Sequence, residues 1–239
     1  MKKLIITTAI ILGFALTYGQ SLEIRRNFLT DELAYVRDSL DLDITALSVT
    51  DNFSWLITYG QNSFSYFDVP ADLRKRLDKI NKSNAAITGA ELMQDSAWIV
   101  VCDGDKVFFR NLSIQQKEAL QKIHRKNGKI NFLRIWAPDK FVIFFNNTRF
   151  VAMGISKNLY KSLNKLLSRG KKIKDVEIYG NSFIILFGHK GILGYRLPPT
   201  LKNKLIKLQQ RCYTIDFVRH LPTGEWIIIY DRNKFLTVK

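Results

Sequence analysis

A chain of 239 residues that is 46% hydrophobic and 12% aromatic, with 5 Pro and 13 Gly, is neither disordered nor collagen-like. Its 37 Lys and Arg against 21 Asp and Glu give a formal charge of +16, which favours anionic partners. Two cysteines exclude a disulfide scaffold and a cysteine-built metal site.

In chain order, residues 1–19 read as a signal peptide. Lys2 and Lys3 form a basic start, Leu4 to Leu16 is uncharged and apolar, and Thr17 and Gly19 are small residues ahead of a cut before Gln20. The apolar run is shorter than the roughly 20 residues a membrane span needs. The expectation is an exported chain, periplasmic or extracellular, with residues 20–239 as a single repeat domain. A short strand at Leu22 to Arg26 and a helix from an N-cap at Thr30 to about Leu40 open it.

A repeat follows. Ile44, Ile87, Ile130, Ile173 and Ile215 stand 43, 43, 43 and 42 residues apart. Trp55, Trp98, Phe141, Phe183 and Trp226 keep the same period, as do Phe64, Val107, Phe150, Ile192 and Phe235. Leu77, Leu120, Leu163 and Leu205 form a fourth series, each three residues before Ile80, Ile123, Leu166 or Leu208. Such self-similarity marks a repeat architecture, with units at about 43–85, 86–128, 129–171, 172–213 and 214–239.

Each unit reads as three strands and a helix. The first strand alternates loosely, as in Lys129 to Ile135. The second is apolar throughout, as in Trp226-Ile-Ile-Ile-Tyr230, and so belongs mid-sheet with both faces covered. Gly, Asn and Asp follow every copy and tolerate the positive φ of a tight hairpin, so the third strand returns antiparallel. Pro70, Ser113, Ser156 and Pro198-Pro199 then start helices whose leucines share one face.

The last unit stops after its third strand, whereas residues 20–42 carry a strand and helix with nothing ahead of them. The two ends look like matching halves. The expected fold is an α+β repeat protein of five β-β-β-α units, closed into a propeller-like toroid whose fifth unit is completed by 20–42. An open α/β solenoid is the alternative, although it would want polar end caps.

The Trp–apolar–turn–aromatic–helix unit resembles tandem repeats of secreted bacterial proteins, best over Trp55 to Phe64 and Trp226 to Phe235. That resemblance brings no catalytic residues. Five strand-rich units with one helix each also look like the five-fold α/β propeller of the pentein class, in architecture alone. The guanidine-modifying penteins use a Cys with a His and carboxylates; Cys102 and Cys212 lie in different parts of their units, and neither is flanked by such a set.

Chemistry is sparse. His124, His189 and His220 are far apart, no Gly-x-Ser-x-Gly elbow occurs, and Phe187-Gly-His-Lys-Gly191 reads as a hairpin turn. Asp103-Gly-Asp105 fits a turn better than a calcium loop, since other copies carry Gly or Asn there. Cys102 and Cys212 fall in units that are not neighbours in a five-membered ring, which argues against a disulfide. No cofactor or metal is expected. The Trp and Phe series reads as core, and exposed aromatics are sought where the repeat breaks: Tyr66, Trp136, Tyr160, Tyr179 and Tyr195.

Charge is the usable clue. Lys157, Lys161, Lys165 and Arg169 recur every four residues, with Lys171 and Lys172 behind them. Lys202, Lys204, Lys207 and Arg211 form a second acid-free set. Like charges four apart on a helix repel by a few tenths of a kcal/mol, so the pattern has no folding rationale. The expectation is a non-enzymatic binding or scaffold module whose basic helices meet an anionic polysaccharide, a lipid surface or an acidic protein. A solvated helix face is the bland account. Nucleic acid is not expected outside the cell, and the protein is expected to be a monomer. The alternative is an envelope or extracellular carbohydrate-active hydrolase using carboxylates from several repeats.

Overall fold

The computed structural model describes residues 18–239, with side chains from residue 21 onward. The signal peptide expected over residues 1–19 therefore lies outside the described residues, apart from the backbone of Tyr18 and Gly19.

The chain opens with helix α1 (Tyr18–Tyr35), which runs on as a π-helical turn, Val36–Leu40. Five three-stranded antiparallel sheets follow, each in simple 1-2-3 order, and among the described residues no ladder joins one sheet to another. They are β1 (Ile44–Val49), β2 (Trp55–Tyr59) and β3 (Ser63–Phe67); then β4 (Ile87–Leu92), β5 (Trp98–Cys102) and β6 (Lys106–Arg110). Next come β7 (Ile130–Ala137), β8 (Lys140–Phe145) and β9 (Arg149–Met153), then β10 (Ile173–Tyr179), β11 (Ser182–Phe187) and β12 (Gly191–Tyr195). The fifth sheet is β13 (Ile215–His220), β14 (Trp226–Tyr230) and β15 (Lys234–Val238). Helices α2 (Ala71–Ser83), α3 (Ile114–His124), α4 (Lys157–Ser168) and α5 (Pro199–Gln210) connect successive sheets. The β-β-β-α repeat is as expected.

The helix starts have visible causes. Ser113 and Gln116 form a reciprocal capping box at α3, and the Ser156 hydroxyl accepts from the Leu159 N–H at 3.2 Å to begin α4. Pro198 and Pro199 lead α5 with φ already near helical.

The middle strands are almost wholly apolar because each feeds two cores. Leu56 of β2 packs with Leu73, Leu77 and Ile80 of α2 against the second sheet. Trp55, Ile57 and Tyr59, alternating with Leu56, face the other way. The same plan recurs: α3 between sheets two and three, α4 between three and four, α5 between four and five. A fully buried Leu or Ile contributes about 2 kcal/mol relative to its exposed state, so these wedges hold the units together.

A fifth wedge joins the ends. Leu29, Leu33 and Val36 pack among Ile227, Ile229 and Leu221 of the last sheet and Leu47, Trp55 and Ile57 of the first. The first strands also touch in succession, β1 with β4, β4 with β7, β7 with β10, β10 with β13, and β13 with β1. One backbone bond repeats at this join. Ile87 N–H donates to Gln61 O at 2.8 Å and Ile130 N–H to Gly104 O at 2.6 Å, each reaching the hairpin of the preceding unit. Ile44 N–H donates likewise to Arg232 O, at 3.0 Å, in the last hairpin. Three of the five repeat Ile residues thus mark where a unit ties to the one before.

Two expectations need correction. Leu22 to Arg26 is helical and Thr30 lies mid-helix, because Leu22, Leu29, Leu33 and Val36 sit at helical spacing on the face that enters the fifth wedge. The N-terminal segment therefore supplies a helix and no strand; the fifth sheet is complete without it. The loose alternation of the first strands also has a cause: every one carries a bulge after its opening Ile.

Candidate functional site: a buried ionic circuit and two exposed basic helices

Four residues after each repeat Ile stands a buried polar side chain: Ser48, Glu91, Arg134, Glu177 and Arg219. They meet where the five first strands come together. Ser48 donates through Oγ to Glu91 Oε2 at 2.9 Å. Arg134 Nη1 donates to both Glu91 oxygens at 2.8 Å, and its Nη2 donates to Glu177 Oε2 at 2.5 Å. Glu177 Oε2 lies 3.7 Å from Arg219 Nη1, and Arg219 Nε donates to Leu47 O at 2.8 Å, back on β1. The circuit therefore passes once through every unit. Asp175, two residues before Glu177, takes Arg219 Nη1 on both oxygens at 2.8 and 2.7 Å and accepts Val218 N–H at 3.0 Å.

Three carboxylates face two guanidinium groups, an excess of one negative charge. Burial pushes the Glu91 and Glu177 carboxyls above the usual carboxylate range, against the pull of Arg134 and Arg219. Burial works hardest against the Arg134 charge too, but Glu177, Glu91 and Asp175 together carry its pKa upward. Removing one partner from such a set leaves an uncompensated buried charge, which is strongly destabilising. Each carboxylate is buried and held by arginine, so the carboxylates that gather from several units are committed to partners rather than presented to a substrate. The sequence reading missed this set, although stepping four residues from each repeat Ile would have found it.

The ten basic residues singled out from the sequence are all exposed. Lys157, Lys161 and Lys165 lie on α4, opposite buried Leu159, Leu163 and Leu166, and Arg169 closes the helix with its backbone already leaving it. Lys171 and Lys172 sit in the link to β10. Lys202, Lys204 and Lys207 lie on α5 and Arg211 closes it. The two helices occupy consecutive wedges, so their basic faces flank the fourth sheet. Some bases elsewhere pair on the surface, as Arg25 with Asp68, Arg110 with Asp72, Lys106 with Asp103, and Arg232 with Asp43. Among the described residues none of the ten has an acidic partner at that range.

Beside α4 lies a cavity of about 250 Å³ lined by Met153, Ile155, Lys157, Tyr160 and Lys161 with Ala152 and Gly154. Gly154 is at φ +65°, and a Cβ there would lie 2.2 Å from Asp139 O, so this position has to be glycine. A larger hollow of about 630 Å³ lies between α3 and the turn at Gly104, lined by His124, Arg125 and Lys129 among others.

The remaining candidates resolve simply. The Trp and Phe series is buried, as read. Of the aromatics at breaks in the repeat, Tyr160 and Tyr179 are exposed, while Tyr66, Trp136 and Tyr195 are partly buried. Tyr179 stacks on His220 at 4.0 Å, with Trp226 edge-on to both. Asp103 accepts Ala86 N–H at 3.0 Å and pairs with Lys106 at 2.9 Å, the work of a turn residue. Among the described residues no cluster of three His, Cys, Asp or Glu is placed to hold a metal ion. Cys102 and Cys212 are unpaired, and burial pushes the Cys102 thiol up to about 11. No family model matches the chain and no curated protein matches it in sequence.

Proposed function

We propose that the five units close into a propeller-like toroid and that the protein is an exported, non-enzymatic binding module that docks on an anionic surface through α4 and α5. The toroid reading is supported by the fifth wedge, by the circuit of contacts among first strands and by the Ile44–Arg232 bond. One observation carries the docking reading: among the described residues the exposed cations of two neighbouring helices, α4 and α5, have no acidic partner and no acidic residue interspersed, whereas α2 and α3 carry Asp72, Asp78 and Glu118 among theirs. Unpaired like charges fold nothing and attract polyanions. The test is binding to an acidic polysaccharide, a neutral one and anionic vesicles across a salt series, beside a Lys157, Lys161, Lys165 and Arg169→Gln variant. Selective binding to anionic targets, weakened by salt and by the variant, is expected. Equal behaviour of the two proteins would reduce the basic faces to solvated surface.

A further inference from the structure

Resting on that docking reading, we infer that the α4 face meets an anionic lipid bilayer, with Met153 and Tyr160 entering the interface while Lys157, Lys161 and Lys165 engage lipid phosphates. The argument starts from what stands among the lysines. Met153 is 39% and Tyr160 51% exposed, and both line the same cavity as Lys157 and Lys161. On α5, Ile206 is 40% exposed between Lys204 and Lys207. A polysaccharide could satisfy the charges and stack a sugar ring on Tyr160, and an acidic protein could satisfy the charges, but a soluble polyanion offers no apolar phase to Met153 and Ile206.

A bilayer supplies both phases. Its anionic headgroups attract cations within a Debye length, and the interfacial region accepts aromatic and apolar side chains. Tyrosine carries a polar tip on an apolar body, the form enriched at such interfaces. The Tyr160 ring is also braced, tilted against Phe150 at 5.3 Å, which in turn packs on Phe144 at 5.6 Å. Lysine stems can lie along apolar surface while their charges stay at the phosphates. The cavity size decides between a surface and a captured lipid. At about 250 Å³ it falls below the roughly 300–1,000 Å³ of ligand pockets, and so suits shallow seating rather than extraction of an acyl chain.

The test uses the full chain in three forms: unchanged, Lys157, Lys161 and Lys165→Gln, and Met153→Ser with Tyr160→Ser. Each is sedimented with phosphatidylcholine vesicles containing or lacking phosphatidylglycerol, and each is passed over immobilised heparin. Lys157, Lys161 and Lys165 lie on the α4 surface away from the leucine core, whereas Tyr160 touches the core's edge at Phe150 and Met153 ends β9, so thermal unfolding checks that each variant folds. The expected result is binding to phosphatidylglycerol vesicles alone, weakened roughly tenfold or more in both variants. Heparin retention should weaken in the lysine variant and stay unchanged in the Met153/Tyr160 variant. A Tyr160→Trp form should bind at least as well and show blue-shifted emission on anionic vesicles. Full vesicle binding by the Met153/Tyr160 variant would overturn the bilayer inference and leave an aqueous polyanion as the partner. Unchanged binding of the lysine variant to every target would overturn the docking reading itself.

Discussion

The centre and the rim of this molecule use the same charges in opposite ways. At the centre, the position four residues after the repeat Ile carries a charge in four of the five units, alternates in sign from Glu91 to Arg219, and finds partners 42 or 43 residues away. On α4 the charges share one sign, stand four residues apart and, among the described residues, have no acidic partner. The centre uses arginine, whose planar fork can hold two carboxylates at once, as Arg134 does. The rim uses mostly lysine, a hydrated point charge on a flexible stem. A repeated backbone cannot by itself tell one unit from the next. Varying a single buried position supplies distinct contacts to each neighbour, whereas the uniform rim carries no such information.

The sharpest way to break this contrast is Arg134→Met. It leaves Glu91 and Glu177 buried, each without its main partner, and such losses cost about 3–5 kcal/mol. Urea unfolding should register a shift of that size, nearly independent of salt because the groups are buried. A change below about 1 kcal/mol would mean that water reaches the circuit and that it does not order the units.

How legible was each region? The wedges were written in the sequence: Trp55, Leu77 and their counterparts recur because every unit buries the same shape, and identical packing demands near-identical residues. The rim was legible for a different reason, since Lys157, Lys161 and Lys165 are neighbours along one helix. The circuit was harder to see because its repeat is hidden by chemistry. Ser48, Glu91, Arg134, Glu177 and Arg219 share a position but alternate in charge, so a search for similar residues passes over them. The N-terminal helix was misread because Leu22 to Arg26 is too short to show a helical period, and its partners are almost the whole chain away, at Ile227 and Ile229.

Between centre and rim stands His220, half-buried at the end of β13. Its surroundings are Tyr179 stacked at 4.0 Å, Trp226 edge-on at 4.9 Å, and the charge of Asp51. Burial holds its pKa below the ordinary value, against the smaller opposing effect of Asp51. Above about pH 6.5 the imidazole is neutral in both folded and unfolded chains, and its contribution to stability is complete. As the pH falls below that value the unfolded chain takes up the proton first, so stability is lost until the folded state titrates as well. His220→Phe removes this loss. Thermal unfolding followed from about pH 7 to about pH 5 should therefore fall more steeply for the unchanged protein than for the variant. Parallel curves would show that His220 is hydrated in the folded state.

The smallest effect has the opposite sign from the largest. Lys157 and Lys161, and Lys161 and Lys165, are like-charge pairs one turn apart, and each pair opposes α4 by a few tenths of a kcal/mol. Replacing all three with Gln keeps helix propensity nearly constant, because Lys and Gln rank together. The triple variant should therefore be more stable at low ionic strength, by about 0.5 kcal/mol, and the gain should fade as added salt shortens the Debye length below the spacing of one turn. Removing charge at the centre would thus weaken the fold, while removing it at the rim would strengthen it. A triple variant that loses stability at low salt would mean that the lysine stems pack on α4 or that carboxylates reach them in solution. Either outcome would take away the reason for reading the stripe as a surface kept for a partner.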